Sequence, residues 1–228
     1  MAAPVIPIDI GNSRCKWLQG DELCHGATVG ELVDALPEGA ELRVAATRPG
    51  AIAALRRQAS RRSLRVTAVG EELALPDLGQ HEGCGSDRVL AGLGWAAMAP
   101  EQAVVLVSCG TAVTVDAWWP GPRHGGGLIA PGLAVCRAGL AQATPALPSV
   151  APDWRAGLGQ DTASGLGIGL AVGWRGLALA CIERVQAVSG IDRLVLTGGD
   201  AAILRRYWPE NAVPDLHPEL VLKGLLVL

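Results

Sequence analysis

Two apolar runs, Val5 to Ile10 and Ala103 to Val107, each break into glycine and small hydroxyl or amide side chains. Short apolar runs bounded this way read as buried strands that end in turns. After the first, Lys16 to Leu18 reads as its hairpin partner. Gly30 to Leu36 reads as a helix ending at Pro37, and Leu42 to Ala46 as a further strand. Ile52, Leu55 and Ala59 recur at helical spacing within Pro49 to Ser60, with proline at a first-turn position. Leu64 to Val69 is again a strand, and Pro76 to Ser86 is a polar, glycine-rich loop. Arg88 to Met98 is a helix that stops before Pro100.

The pattern then restarts. Ala103 to Val107 is a strand, Thr111 to Trp118 its hairpin continuation, and Gly125 to Ala130 a third strand. Ala134 to Ala141 is helical, and Thr144 to Gly159 is a proline-containing loop long enough to be functional. Thr162 to Val188 is a long helix rich in alanine and glycine. Ile191 to Thr197 is a strand, Ala201 to Arg206 a short helix, and the tail from Leu216 ends apolar. Strand–helix alternation in both halves predicts an α/β protein of two tandem domains, 1–100 and 101–228.

Composition narrows the setting. The chain has 228 residues, of which 50% are hydrophobic, enough for real cores in one large or two small domains. A net charge of −3 calls for neither a nucleic-acid nor a membrane partner. Arg56, Arg57, Arg61, Arg62 and Arg65 form one basic run, which reads as the solvated face of a helix. The six cysteines form no C-x-x-C pair and have no histidine at metal-ligand spacing. There is no basic-then-apolar leader, and no apolar run of about 18 residues free of glycine, proline and charge. The expectation is a cytoplasmic protein with reduced thiols.

The breaks in the two first strands carry the chemistry. A strand ending in Gly plus small polar residues presents backbone N–H groups and side-chain donors together, a cradle for phosphate oxygens. In Asp9-Ile10-Gly11-Asn12-Ser13-Arg14-Cys15-Lys16, Gly11 admits close backbone approach and Asn12 and Ser13 donate. Lys16 adds a point charge, and Asp9 gives Mg²⁺ a place, directly or through water. Ser108-Cys109-Gly110-Thr111-Ala112-Val113-Thr114 repeats the pattern. Taken singly, each could be an ordinary hairpin turn. Gly198-Gly199-Asp200 suits either the face of a purine or a strand-to-helix turn capped by Asp200. Gly85-Ser86-Asp87-Arg88 opens a helix. Its Asp87 could accept a proton from a hydroxyl and its Arg88 could hold an anion, or the segment could be a plain N-cap with a surface arginine. Gly125 to Gly132 suits close approach to a ligand or between strands. Thr162 is an N-cap or a polar contact at a helix terminus.

In this order the segments resemble the type III pantothenate kinases of the acetate-and-sugar-kinase/Hsp70/actin superfamily. The matching segments are Asp9 to Ser13 with Lys16, Gly85 to Arg88, Gly110 to Ala112 with Thr114, Gly126 to Gly132, Thr162, and Thr197 to Asp200. Gly-Asn-Ser-Arg-x-Lys-Trp resembles the Bvg accessory factor subgroup. The resemblance implies two ribonuclease-H-like (actin-like ATPase) domains with mixed five-stranded sheets and flanking helices. It also implies ATP-dependent phosphorylation of pantothenate at its primary hydroxyl, the first step of coenzyme A synthesis, and a homodimer. Carried over, Asp9, Ile10, Gly11, Asn12, Ser13, Arg14, Cys15, Lys16, Gly110, Thr111, Gly198 and Gly199 bind ATP, with Mg²⁺ at Asp9. Gly85, Ser86, Asp87, Arg88 and Thr162 bind pantothenate, and Asp87 is the catalytic base.

The chain departs from that pattern in places. Many members hold a monovalent cation, K⁺ or NH₄⁺, with an aspartate where this chain has Ser108. A hydroxyl is a much poorer ligand, which puts that requirement in question. Leu73 to Cys84 contains no aromatic residue, and Leu78 stands near the family's substrate-contacting tyrosine; Val89 replaces a common aromatic. A catalytically weak nucleotide-binding regulator of the same fold, or a kinase for another small polyol, are the alternatives these departures leave.

Overall fold

The computed structural model describes residues 4–12, 14–209 and 213–228. Ser13, one residue of the first expected phosphate turn, lies outside them. The first sheet has the order β3-β2-β1-β4-β5. Its strands are β1 (Val5–Ile10), β2 (Cys15–Gln19), β3 (Glu22–Gly26), β4 (Glu41–Ala46) and β5 (Arg65–Ala68). β1, β2 and β3 pair antiparallel, whereas β4 runs parallel to both β1 and β5. The helices interspersed with these strands are α1 (Val29–Ala35) and α2 (Ala51–Ala59), followed by α3 (Ser86–Met98).

Strand alternation decides which side chains reach the core. Ile6, Ile8 and Ile10 of β1 face one way and are buried with Leu32 and Leu36 of the α1 region and Leu55 of α2. Asp9 must then point to the opposite face, and its partner across the β1–β2 pair is Lys16. α1 starts where it does because Thr28 accepts from the Glu31 N–H at 3.1 Å while Glu31 accepts from the Ala27 N–H at 2.8 Å. In the basic run Arg57, Arg61 and Arg65 are exposed, as a solvated face requires, and two arginines make structural contacts. Arg56 pairs with Glu71 and Glu72, and Arg62 donates to the carbonyls of Val33 and Asp34.

The second sheet has the order β10-β9-β6-β7-β8. It comprises β6 (Val104–Cys109), β7 (Ala112–Trp119), β8 (Arg123–Pro131), β9 (Leu194–Thr197) and β10 (Asp215–Leu216). Central β6 buries Val104 through Val107 on both faces, which is why it reads as an unbroken apolar run. The helices are α4 (Leu133–Ala143), α5 (Thr162–Ser189), α6 (Ala201–Arg206) and α7 (Leu220–Val227). By length and composition α5 could cross a membrane, but it carries Arg175, and Ile168, Trp174, Ala178 and Ile182 on it are buried.

The chain forms two compact units. The first holds Met1–Gln102, Trp118–His124 and Glu219–Leu228; the second holds Ala103–Ala117 and Gly125–Pro218. Three elements are not legible as such in the sequence, the two-residue β10 among them. β3 is a short edge strand set by its register with β2, Trp17 opposite Cys24. The apolar tail forms α7, which has no polar stripe to mark it as a helix. It packs on α3 with backbones touching, since a Cβ on Gly94 or Gly224 would strike the backbone of the other helix. Arg43 donates to the last carbonyls of α7, Leu225 at 3.3 Å and Leu226 at 3.1 Å.

Candidate active site

In the first unit the β1–β2 turn closes tightly, with the Gly11 N–H donating to the Arg14 carbonyl at 3.2 Å. Asp9 stands one residue before this turn's hairpin closes, opposite Lys16. Burial raises the Asp9 carboxyl from 3.8 to about 6; Lys16 pulls it down and the Asp87 carboxylate pushes it up. The Lys16 ammonium is itself held below its ordinary range by burial, with Asp9 opposing and Arg14 reinforcing that shift. The structure thus brings together Asp9, Lys16 and Asp87, the last of them 78 positions along the chain from Asp9.

Asp87 lies within electrostatic range of Asp9 at the head of α3. Gly85 occupies the N-cap with φ −58° and ψ 138° and no side-chain cap, so Ser86 and Asp87 are first-turn residues and not caps. The Asp87 carboxylate turns back over Gly85, Oδ1 lying 2.5 Å from where a Cβ on that residue would stand. Arg88 is only 5% exposed, which rules out the plain surface arginine.

In the second unit three glycine segments converge. The Asp200 N–H donates to the Cys109 carbonyl at 2.9 Å, and the Gly132 N–H donates to the Thr111 carbonyl at 3.0 Å. Gly198 has φ +95°, and a Cβ there would collide with the Cys109 backbone. A Cβ on Gly132 would meet the carbonyls of Gly110 and Thr111. The Gly110–Thr111 turn is therefore walled by the Gly198–Asp200 turn and by the end of β8. Asp200 stands at the N-cap of α6 without a side-chain capping bond. The buried Cys109 thiol is pushed up to about 12 by desolvation and secondarily by Asp200. Ser108 lies opposite Thr197 across the β6–β9 pair.

Thr162 is the first residue of α5 and exposed, but the cap is Asp161. Asp161 and Ser164 form a capping box, Ser164 N–H to Asp161 Oδ1 at 2.8 Å and Asp161 N–H to Ser164 Oγ at 3.2 Å. Sequence reasoning also passed over Asp116, a carboxylate only 2% exposed in β7. A buried carboxylate demands partners, and one acidic residue inside the apolar run Val113 to Trp118 is the signal the chain offers.

Mg²⁺ suits the first turn on its chemistry. No cluster of three or more His, Cys, Asp or Glu exists among the described residues. A single desolvated carboxylate, with the remaining ligands from substrate phosphates and water, is the way Mg²⁺ is usually held.

Solved structures share this architecture. A Campylobacter jejuni protein named for the Baf family of transcriptional activators aligns over 97% of this chain and 96% of its own, with TM-score 0.60 and 20% identity. The activator of 2-hydroxyisocaproyl-CoA dehydratase from Clostridium difficile, solved with ADPNP, aligns over 97% and 92%, with TM-score 0.54 and 10% identity. Two mixed five-stranded sheets with flanking helices place this chain in the actin-like ATPase and sugar-kinase fold class. Residues 41–184 match the family model described as type III pantothenate kinase. A Stenotrophomonas maltophilia protein of that name is 33% identical over 237 aligned residues, 95% of this chain and 93% of that protein. The chain belongs to the type III pantothenate kinases.

Proposed function

We propose that this chain transfers the γ-phosphoryl group of ATP to the primary hydroxyl of pantothenate, giving 4′-phosphopantothenate, the first step of coenzyme A synthesis. Beyond membership of the family, the observation that carries the reading is the Asp87 carboxylate, in the first turn of α3 and close enough to Asp9 to raise its pKa. A proton acceptor beside a desolvated, cation-seeking carboxylate is what an in-line transfer to an alcohol requires.

The roles follow from the residues. Asp87 accepts the hydroxyl proton as the alcohol oxygen attacks the γ-phosphorus and ADP leaves. Gly11, Asn12, Ser13 and Arg14, with Gly110 and Thr111, bind the phosphates through backbone and side-chain donors. Lys16 adds a fixed positive charge. Gly198 and Gly199 take the adenosine side, and Gly85, Ser86, Arg88 and Thr162 hold pantothenate. When bound, Mg²⁺ at Asp9 neutralises charge on the phosphates. Ser108 argues against a tight K⁺ or NH₄⁺ site. A cytoplasmic homodimer completes the proposal. Ile129, Val135, Leu147, Leu158 and Val172 of the second unit stay exposed, apolar surface that a second copy would cover.

The test is ADP release measured with and without pantothenate, alongside a screen of other small alcohols. Pantothenate-dependent release is expected. ATP binding with no dependent turnover would favour a regulatory protein, and faster turnover of another alcohol would reassign the acceptor.

A further inference from the structure

Within the second unit, the long loop between α4 and α5 is held by an aromatic stack. Trp154 lies parallel over Tyr207, with ring centroids 4.4 Å apart and 10° between planes, and meets Trp174 edge-on at 6.2 Å. Trp174 is a buried residue of α5, and Tyr207 directly follows α6. Both flanks are tied down. The Asp153 N–H donates to the Gly167 carbonyl at 2.8 Å, and the Tyr207 carbonyl accepts from Arg175 at 3.3 Å. The loop is anchored again at its far end, where Ser164 Oγ accepts from the Gln160 N–H at 3.1 Å and from the Asp161 N–H at 3.2 Å.

Between the two anchors, residues 155–158 are exposed, Leu158 by 86%. Arg155 is held back on Asp153, its backbone N–H donating to Oδ1 at 3.1 Å and its Nε to Oδ2 at 2.5 Å, and the Ala156-Gly157-Leu158 stretch beyond it loses conformational freedom if it must order itself around a ligand. Anchoring both feet removes most of that loss in advance. The first foot rests on α6, which grows from the Gly198–Asp200 turn bonded to Cys109. The second foot is the capping box that sets Thr162.

We propose that Trp154 is a positioning residue for the acceptor. By stacking on Tyr207 it holds the 155–161 arch, and with it Thr162, in fixed relation to the nucleotide-side turn of the same unit. The assignment rests on the reading that Thr162 meets pantothenate. It adds a residue pair, Trp154 and Tyr207, that touches neither substrate and sets how tightly the alcohol binds.

The experiment is steady-state kinetics on the full chain with ATP and pantothenate varied independently. Trp154→Ala is expected to raise the pantothenate KM about tenfold, the scale of a misplaced contact, with the ATP KM and kcat little changed. Trp154→Phe keeps a stacking face and should restore most of the affinity. Tyr207→Ala breaks the same stack from the other side and should reproduce the effect, which guards against a folding failure of either variant. Trp154→Ala combined with Thr162→Val should cost no more than the larger single change. Additive effects, an unmoved pantothenate KM, or parallel losses in Tm and both KM values would overturn the assignment. Absence of pantothenate-dependent turnover in the unaltered chain would instead remove the functional reading beneath it.

Discussion

Asp87 folds its carboxylate back over Gly85, where only the missing Cβ leaves it room. The backbone angles at Gly85 are ones that alanine adopts freely, so the glycine is needed for the neighbour's side chain and not for the turn. Gly85→Ala should therefore leave Tm and ATP binding nearly intact while lowering kcat at least about tenfold by displacing the base. Asp87→Asn is the reference, expected to cost at least about 10²-fold in kcat with ATP binding retained. Near wild-type turnover in the asparagine variant would remove Asp87 from the base role.

Asp9 makes a trade between stability and function. Its folded pKa, about 6, lies above the ordinary 3.8, so the folded chain holds this proton more tightly than the unfolded one. That contribution is complete below about pH 4 and is lost as pH rises through 6, leaving the ionised group a net cost at neutral pH. Asp9→Asn should raise the Tm of the ligand-free protein at pH 7.5, by at most about 3 kcal/mol in stability, and abolish turnover. An unchanged or lowered Tm would mean that pairing with Lys16 outweighs desolvation.

Gly198 tests the second unit. Its positive φ and its seat on the Cys109 backbone both exclude a side chain. Gly198→Ala should cost at least about 2 kcal/mol in chemical denaturation and weaken ATP binding together. Gly199→Ala, at an exposed position with open space around its Cα, serves as the mild comparison.

Cys109 predicts an alkaline limit. Its thiol is raised from 9.0 to about 12, so its contribution to stability is complete below pH 9 and drains away as pH climbs toward 12. Thermal melts between pH 9 and 10.5 should fall more steeply for the wild type than for Cys109→Ala, by up to about 1.4 kcal/mol per pH unit. Parallel slopes would show a thiol that ionises normally.

The chain's own pattern carried most of the element order, because strand and helix periods and the turns between them are local properties. It located both glycine turns, the head of α3, the start of α5 and the Gly198–Asp200 break. It missed β3, the two-residue β10 and α7. A five-residue edge strand with mixed polarity has little periodicity, and a helix apolar on every side has no polar stripe to reveal it.

What sequence alone determined is which side chains are available. Apolar neighbours at Ile8 and Ile10 oblige Asp9 to face away from their core, and glycine at 85, 110 and 198 leaves backbone bare. What only the tertiary structure decided is which of them meet. The approach of Asp87 to Asp9, the bond from Asp200 to Cys109 and the stacking of Trp154 on Tyr207 join positions far apart in the chain. Such meetings depend on sheet register and helix docking, which are settled by the packing of the whole unit and not by any local period.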